Sequence, residues 1–176
     1  MAAAGIRPNQ LTIAAVAVSA LAGIAVAGAV THRMLMWTVP GLYLLRMGLN
    51  AMDGLLARDH DMQSRGGAIL NEVGDVVSDT LAYLPFVIYF PARAGLLVVV
   101  VILGLIAEVT ALAATAGTGR RNDGPLGKSD RALAFAGIAV LAGTGLGAVV
   151  TPVLVLLAGL GCLTIWNRAR TERRPA

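Results

Sequence analysis

Six apolar stretches divide this chain, at about residues 11–30, 34–57, 67–90, 94–117, 131–150 and 152–167. A bilayer's hydrocarbon core takes roughly 20 consecutive apolar residues to cross as a helix. Inside it no water pairs with the backbone, so a chain with such runs spans as helices. The expectation is therefore an all-α, polytopic membrane protein with six transmembrane helices. It is read as a single domain, 1–176, with a basic C-terminal tail over 167–176. A composition of 57% hydrophobic and 14% charged residues excludes an ordinary soluble domain. The lone Cys162 excludes an internal disulfide and a cysteine-built metal site. The first apolar run follows Arg7–Thr12 with no convincing cleavage site before the second, so no cleaved signal peptide is expected. Pro85 falls inside the third run and is expected to kink it.

The cations are distributed unevenly across these spans. With the N-terminus inside, Arg7, Arg58, Arg65, Arg120, Arg121, Lys128, Arg131, Arg168, Arg170, Arg173 and Arg174 fall on one side. The other side receives Arg33 and Arg93, and Arg46 lies within the second span. Such asymmetry predicts both termini in the cytoplasm. It also accounts for the basic isoelectric point without nucleic acid, which is not expected as a partner.

The acids gather where they are costly. Asp53, Glu72, Asp75 and Asp79 lie in or beside the second and third spans, where an ionised carboxylate needs a partner or a task. Residues three or four apart share a helical face. Asn50, Asp53, Gly54 and Ala57 form one stripe at the end of span two, and Gly67, Asn71, Asp75 and Asp79 another along span three. Two oxygen-bearing stripes joined by a short loop make a wet cleft opening to the cytosol. Oxygen donors of this kind suit Mg²⁺ or Mn²⁺ shared with a phosphorylated substrate. Asp59, His60 and Asp61 read as solvated loop residues. Glu108 in span four either pairs with Arg46 or another basic neighbour, or lines the cleft.

The residues from Asp53 to Asp75, DGLLARDHDMQSRGGAILNEVGD, resemble the signature of the CDP-alcohol phosphotransferase (CDP-alcohol phosphatidyltransferase) family. Asp53, Gly54, Ala57, Arg58, Gly67 and Asp75 fall at the family's spacing. Upstream, Pro8, Asn9 and Thr12 resemble its entry to the first helix. Gly127 and Lys128 resemble a glycine-lysine pair seen in several members. Two positions depart from the pattern: Asn50 and Asn71 stand where the family normally has aspartates. An amide oxygen still ligates Mg²⁺ but carries no charge, and Glu72 and Asp79 are the candidates to compensate.

The resemblance implies transfer of a phosphatidyl-type group from CDP-diacylglycerol to an alcohol, with release of CMP. It implies Mg²⁺ or Mn²⁺ as cofactor, held by Asp53 with Asn50, Asn71 and Asp75, and with Asp79 or Glu72 as further candidates. Asp75 is the implied general base. Gly54 and Ala57 would leave room for the nucleotide, Gly67 would keep the facing helix close, and Arg58 would pair with phosphate or hold the carboxylates. The loop over 116–131 and its exit supply Arg120, Lys128 and Arg131, which are expected to grip an anionic acceptor. Glycerol 3-phosphate is the leading candidate and an inositol phosphate the second. The partners expected are a CDP-linked lipid donor, a small alcohol acceptor, membrane lipids and a second copy in a homodimer. The expected location is the inner or plasma membrane. Two other readings compete: a catalytically weakened relative that binds nucleotide or lipid, and a small ion-coupled transporter using Asp53, Asp75, Asp79 and Glu108 as its path.

Overall fold

A computed structural model describes residues 7–59, 64–113 and 124–170, and in these every long element is a helix. α1 (Pro8–Gly28) opens on a proline, whose missing N–H costs nothing at a helix start. The backbone N–H of Arg7 donates to Gln10 Oε1 at 2.9 Å. A 3₁₀ turn over Arg33–Thr38 leads into α2 (Val39–Asp59). α3 (Arg65–Tyr83) is capped by Ser64, whose Oγ accepts from the Gly67 N–H at 3.0 Å. A single turn, α4 (Phe86–Tyr89), and a 3₁₀ turn at Pro91–Arg93 precede α5 (Ala94–Ala113). Then come α6 (Lys128–Thr144) and, after a 3₁₀ turn at Gly147–Val149, α7 (Val150–Arg170).

Six long helices thus correspond to the six apolar runs, with shifted limits that have local causes. Residues 34–38 form a 3₁₀ turn before α2 begins. The third run is interrupted at Leu84–Pro85, because proline's ring and missing N–H break the helical hydrogen-bond ladder. α6 starts at Lys128 rather than 131 and stops at Gly145, whose φ of 85° is the left-handed conformation glycine adopts at helix ends. The Leu146 N–H then bonds back to the Leu141 carbonyl at 2.9 Å, and this stop divides α6 from α7. Three segments, Pro8–Gly28, Pro91–Ala113 and Gly147–Arg170, are long and apolar enough to cross a membrane by length and composition. α2, α3 and α6 carry most of the charged residues; α5 adds Glu108 and α7 adds Arg168 and Arg170.

α1 packs along α2 and α3, α5 along α7, and α6 against α2 and the 3₁₀ turn before it. Small residues set the closest approach. A Cβ on Gly23 would lie 2.2 Å from the Leu81 carbonyl oxygen, so α1 and α3 touch there backbone to backbone. At Gly74 the missing side chain makes room for the Thr12 methyl group. Tyr83 stacks on Phe135 with ring centroids 4.2 Å apart, and the Tyr43 hydroxyl donates to the Ala82 carbonyl at 2.8 Å. The outer faces carry Ile13, Ile24, Leu44, Ile102 and Val155 exposed, as a protein solvated by lipid requires.

Candidate functional site

The start of α1, the end of α2 and the start of α3 meet around a cavity of about 420 Å³. Asn9 and Thr12 line it from α1, Asp53, Gly54 and Ala57 from α2, and Arg65, Gly67 and Asn71 from α3. Helical spacing places each set on one face, as the sequence stripes require. Asp53 is buried, and its Oδ2 accepts a hydrogen bond from Thr12 Oγ1 at 2.9 Å. A side chain on Gly54 would enter open space, so this glycine keeps the cavity wide. A Cβ on Gly67 would sit 2.9 Å from Ser64 Oγ and 3.1 Å from Asn9 Oδ1, so here the glycine serves close approach.

Asp75 lies one turn beyond Asn71 and is buried. Its Oδ1 is in a direct ion pair with Lys128 Nζ and accepts from Asn50 Nδ2 at 3.4 Å. Lys128 and Asn50 belong to a second cavity of about 200 Å³ between α2 and α6. Arg46, Met47 and Ala51 line its α2 side, and Ser129 and Ala132 join Lys128 on the α6 side. Asp75 thus contacts two residues of the second cavity and lies one helical turn from Asn71 of the first.

One turn further along α3 the environment changes. Both carboxylate oxygens of Asp79 are held by arginines: Oδ1 by Arg46 Nη2, and Oδ2 by Arg131 Nη2 at 2.7 Å and Nε at 3.2 Å. Arg131 Nη2 also reaches Glu108 Oε1 at 3.0 Å. Arg168 Nη1 lies 3.7 Å from the same Glu108 oxygen and donates to the Ala107 carbonyl. Arg46 Nη1 donates to the Tyr83 hydroxyl at 3.3 Å. All five charged residues are buried, each 5% exposed or less. Gly104 makes this possible, since a Cβ there would lie 2.9 Å from Arg131 Cδ.

The sequence-predicted residues thus separate into groups. Asp53, Gly54, Ala57, Gly67 and Asn71 meet at the first cavity, and Asn50, Asp75 and Lys128 meet beside the second. Asp79, a candidate ligand by its stripe, faces guanidinium groups, because α2 and α6 present arginines at its level. Arg131 points to Asp79 and Glu108 inside the bundle, and Glu108 pairs with Arg131 and Arg168 while Arg46 takes Asp79. Arg58 is exposed, its Nε donating to the Gly54 carbonyl at 3.2 Å, and Glu72 is half-buried on α3. Arg120, Arg121, His60 and Asp61 lie outside the described residues. Sequence reasoning missed the inward orientation of Arg131 and Arg168. Helical phase carried the signal: Arg131 shares its face with buried Phe135, Ile138 and Ala142, and Arg168 with buried Thr164, Gly161 and Leu157.

Among the described residues no three His, Cys, Asp or Glu side chains gather as a metal-binding set. The carboxylate and amide donors at or beside the cavities are Asp53 and Asp75, with the amides of Asn9, Asn50 and Asn71. That set fits a cation such as Mg²⁺, which is commonly held by one or two carboxylates with waters and substrate phosphates completing its shell. The Lys128 ammonium on Asp75 marks the same place as one that receives positive charge.

Residues 6–166 match the sequence profile described as CDP-alcohol phosphatidyltransferase. The inner membrane protein YnbA of Escherichia coli (strain K12) is 43% identical over 128 residues, which cover 72% of this chain. The match spans 63% of that relative's own length. In fold the chain is similar to the phosphatidylinositol phosphate synthase PgsA1 of Mycobacterium tuberculosis. Against the crystal structure of that protein with CDP-DAG bound, the TM-score is 0.78 at 16% identity, covering 98% of this chain and 93% of that one. Against its complex with manganese and citrate the TM-score is 0.75 at 15% identity, covering 98% and 88%.

Proposed function

Because the chain belongs to the CDP-alcohol phosphatidyltransferase family, we propose that it transfers a phosphatidyl-type group from CDP-diacylglycerol to an alcohol acceptor and releases CMP. The observation that carries this reading is the position of Asp75, beside Asn50 and Lys128 of one cavity and one turn from Asn71 of the other. The donor's headgroup occupies the larger cavity with its acyl chains in the bilayer, and the acceptor enters the smaller one. The acceptor hydroxyl attacks the phosphorus that bears the diacylglycerol. The bond to the CMP phosphate oxygen breaks, and Asp75 accepts the hydroxyl proton as general base.

Each residue has a task in this scheme. Thr12 orients Asp53 through its hydroxyl, Gly54 and Ala57 give the nucleotide room, and Gly67 keeps α3 against the start of α1. Arg58, whose Nε donates to the Gly54 carbonyl, would pair with a donor phosphate. Asp53 and Asp75, with the amide oxygens of Asn50 and Asn71, would hold Mg²⁺ or Mn²⁺. When bound, such an ion neutralises phosphate and leaving-group oxygens. A manganese complex of PgsA1, a protein of the same fold, supports that expectation. Asp79, held by two arginines, and Glu72 are given no ligand role. Glycerol 3-phosphate is the leading acceptor and an inositol phosphate the second, with Lys128 as the cation at the acceptor's cavity and Arg120, outside the described residues, as a further one. Arg131, spent on Asp79 and Glu108, is left out of the acceptor set.

The excess of cations on one side supports a cytoplasmic active site and cytoplasmic termini. The similarity to YnbA, an inner membrane protein, supports the inner membrane. The assembly proposed is a homodimer of this one unit. The test is CMP release from CDP-diacylglycerol by purified protein with Mg²⁺ or Mn²⁺, over a panel of alcohols, beside Asp75→Asn. Acceptor-dependent release that vanishes in the variant supports the transferase. Saturable binding of CDP-diacylglycerol without release from any alcohol would overturn it in favour of a binding protein built on an enzyme's frame.

A further inference from the structure

We propose that Thr164 of α7 is a positioning residue for Lys128, fixing the backbone from which that side chain reaches Asp75. What the positioning does for catalysis rests on the transferase reading above; the geometry stands apart from it. Lys128 is the chain's sole lysine and the first residue of α6. Its ammonium is a point charge on a flexible four-carbon stem, without the planar fork that orients an arginine. Where such a charge rests depends on where the backbone holds the stem. α6 has its long contact with α2, and α7 has its long contact with α5.

Residues 124–127 lead into α6, and they lie across α7 at Thr164. The Leu126 N–H donates to Thr164 Oγ1 at 3.0 Å, and the same hydroxyl donates to the Leu160 carbonyl at 2.8 Å. A threonine hydroxyl inside a helix commonly bonds the carbonyl four residues back. Here it also satisfies an N–H of another segment, in a place where Thr164 and Leu126 are both buried. Left without that acceptor, the N–H would be a costly orphan. The Leu126 side chain lies beside Gly161, one turn before Thr164, where a Cβ would be 3.9 Å from Leu126 Cδ2. Gly124 completes the contact. Its φ of 133° disfavours any side chain, and a Cβ there would lie 2.6 Å from Thr164 Cγ2.

Lys128 thus sits between two anchors. Leu126, two residues before it, is tied to Thr164, and Arg131, three residues after it, is tied to Asp79 and Glu108. The second anchor holds the body of α6, and the first holds its entry. Without the Thr164 hydroxyl the Leu126 N–H must seek another acceptor, and the first turn of α6 moves with it. The ammonium then leaves the Asp75 carboxylate that it now meets.

The test uses the full chain in detergent and acetylation by sulfosuccinimidyl acetate, read by mass spectrometry at the sole lysine, whose side chain is 28% exposed. Asp75→Asn removes the partner and gives the rate of the released amine. Thr164→Val keeps the shape of the side chain and is expected to speed acetylation about fivefold, the equilibrium worth of one hydrogen bond. Thr164→Ser is expected to restore the native rate. Gly124→Ala, which lifts the segment off Thr164 with the hydroxyl intact, is expected to match Thr164→Val. Thr151→Val takes a hydroxyl from the other end of α7, where it accepts from Arg93 Nε at 2.7 Å, and is expected to change nothing. Equal rates in the native protein, Thr164→Val and Gly124→Ala overturn the proposal, as does equal acceleration by Thr164→Ser or Thr151→Val.

CMP release separates the two readings. Thr164→Val is expected to lower kcat/KM for the acceptor about fivefold at unchanged KM for CDP-diacylglycerol, and to lower it no further in the Lys128→Gln background. Additive losses overturn the positioning role while the transferase stands. Faster acetylation in Thr164→Val, with no CMP release by the native protein from any acceptor, supports the positioning role while the transferase falls.

Discussion

Asp79→Asn distinguishes a structural carboxylate from a metal ligand, and its cost follows from its neighbours. Among the described residues, three buried arginines, Arg46, Arg131 and Arg168, face two carboxylates, Asp79 and Glu108. Neutralising Asp79 leaves three guanidinium charges against one carboxylate, in a bundle interior away from water. Breaking a buried ion pair by removing one partner costs about 3–5 kcal/mol. For a chain of this size one kcal/mol moves Tm by roughly 2–4 °C, so Tm should fall by roughly 6–20 °C. Asp75→Asn removes a charge of the same kind one turn away, but Lys128 can turn to water. It should cost about 1 kcal/mol or less.

The assay is thermal unfolding of the detergent-purified proteins followed by tryptophan fluorescence, with and without Mg²⁺. The expected order is native, then Asp75→Asn a few degrees lower at most, then Asp79→Asn far below, with the Asp79→Asn loss independent of Mg²⁺. The reasoning is refuted if Asp79→Asn melts with the native protein and loses only the stabilisation Mg²⁺ confers. That result would return Asp79 to the ligand set and leave the arginine cluster without its structural task.

Three further outcomes follow from the same geometry. Thr12→Val keeps the side-chain volume but removes the hydroxyl that holds Asp53, a bond to a charged group worth about 1.5–3 kcal/mol. CMP release should lose about tenfold or more in kcat/KM, with Thr12→Ser retaining most of it; equal losses in both would discredit the hydrogen bond. Gly23→Ala forces a methyl to within 2.2 Å of the Leu81 carbonyl oxygen. Overpacking of this kind costs about 1–3 kcal/mol, so Tm should drop by roughly 2–12 °C, whereas Gly48→Ala, facing open space, should leave Tm in place. Gly54→Ala sets a methyl in the larger cavity with no neighbour within 4 Å, so KM for CDP-diacylglycerol should rise without loss of Tm; an unchanged KM would place the donor elsewhere.

The features legible in the sequence were those that depend on local periodicity. Apolar runs of the necessary length marked the helices, and spacings of three and four residues put Asn50 with Asp53 and Asn71 with Asp75. What could not be read was which stripe meets which across the bundle. Thr12 reaches Asp53 over 41 positions and Lys128 reaches Asp75 over 53, and such pairs are set by helix crossings that no local pattern encodes. Asp79 shows the limit most directly. Its phase continued the acidic stripe, but the partner at its level depends on how α2 and α6 lie against α3. Charge balance was the available clue. Arg46 and Glu108 both stood inside apolar spans, where an unpaired ion is too costly to keep, and that cost required partners among the remaining acids and arginines.

Along α3 the chain therefore carries two tiers of charge with opposite requirements. Asn71 and Asp75 lie beside cavities, where a ligand cation or Lys128 can come and go. Asp79 lies about 6 Å further along the axis, four residues at 1.5 Å each, and its partners are fixed by burial and by hydrogen bonds to both of its oxygens. Arg46 and Arg131 tie α3 to α2 and α6, and Arg131 with Arg168 extends the tie through Glu108 to α5 and α7. The inner tier thus holds the helices in register, and with them the Asp75 backbone, while the outer tier stays exchangeable. The reaction proposed, in which Asp75 would exchange Lys128 for a cation or a proton, needs such a fixed layer behind it, since a carboxylate that lost its partner on a loosely held helix would turn toward whatever cation was nearest.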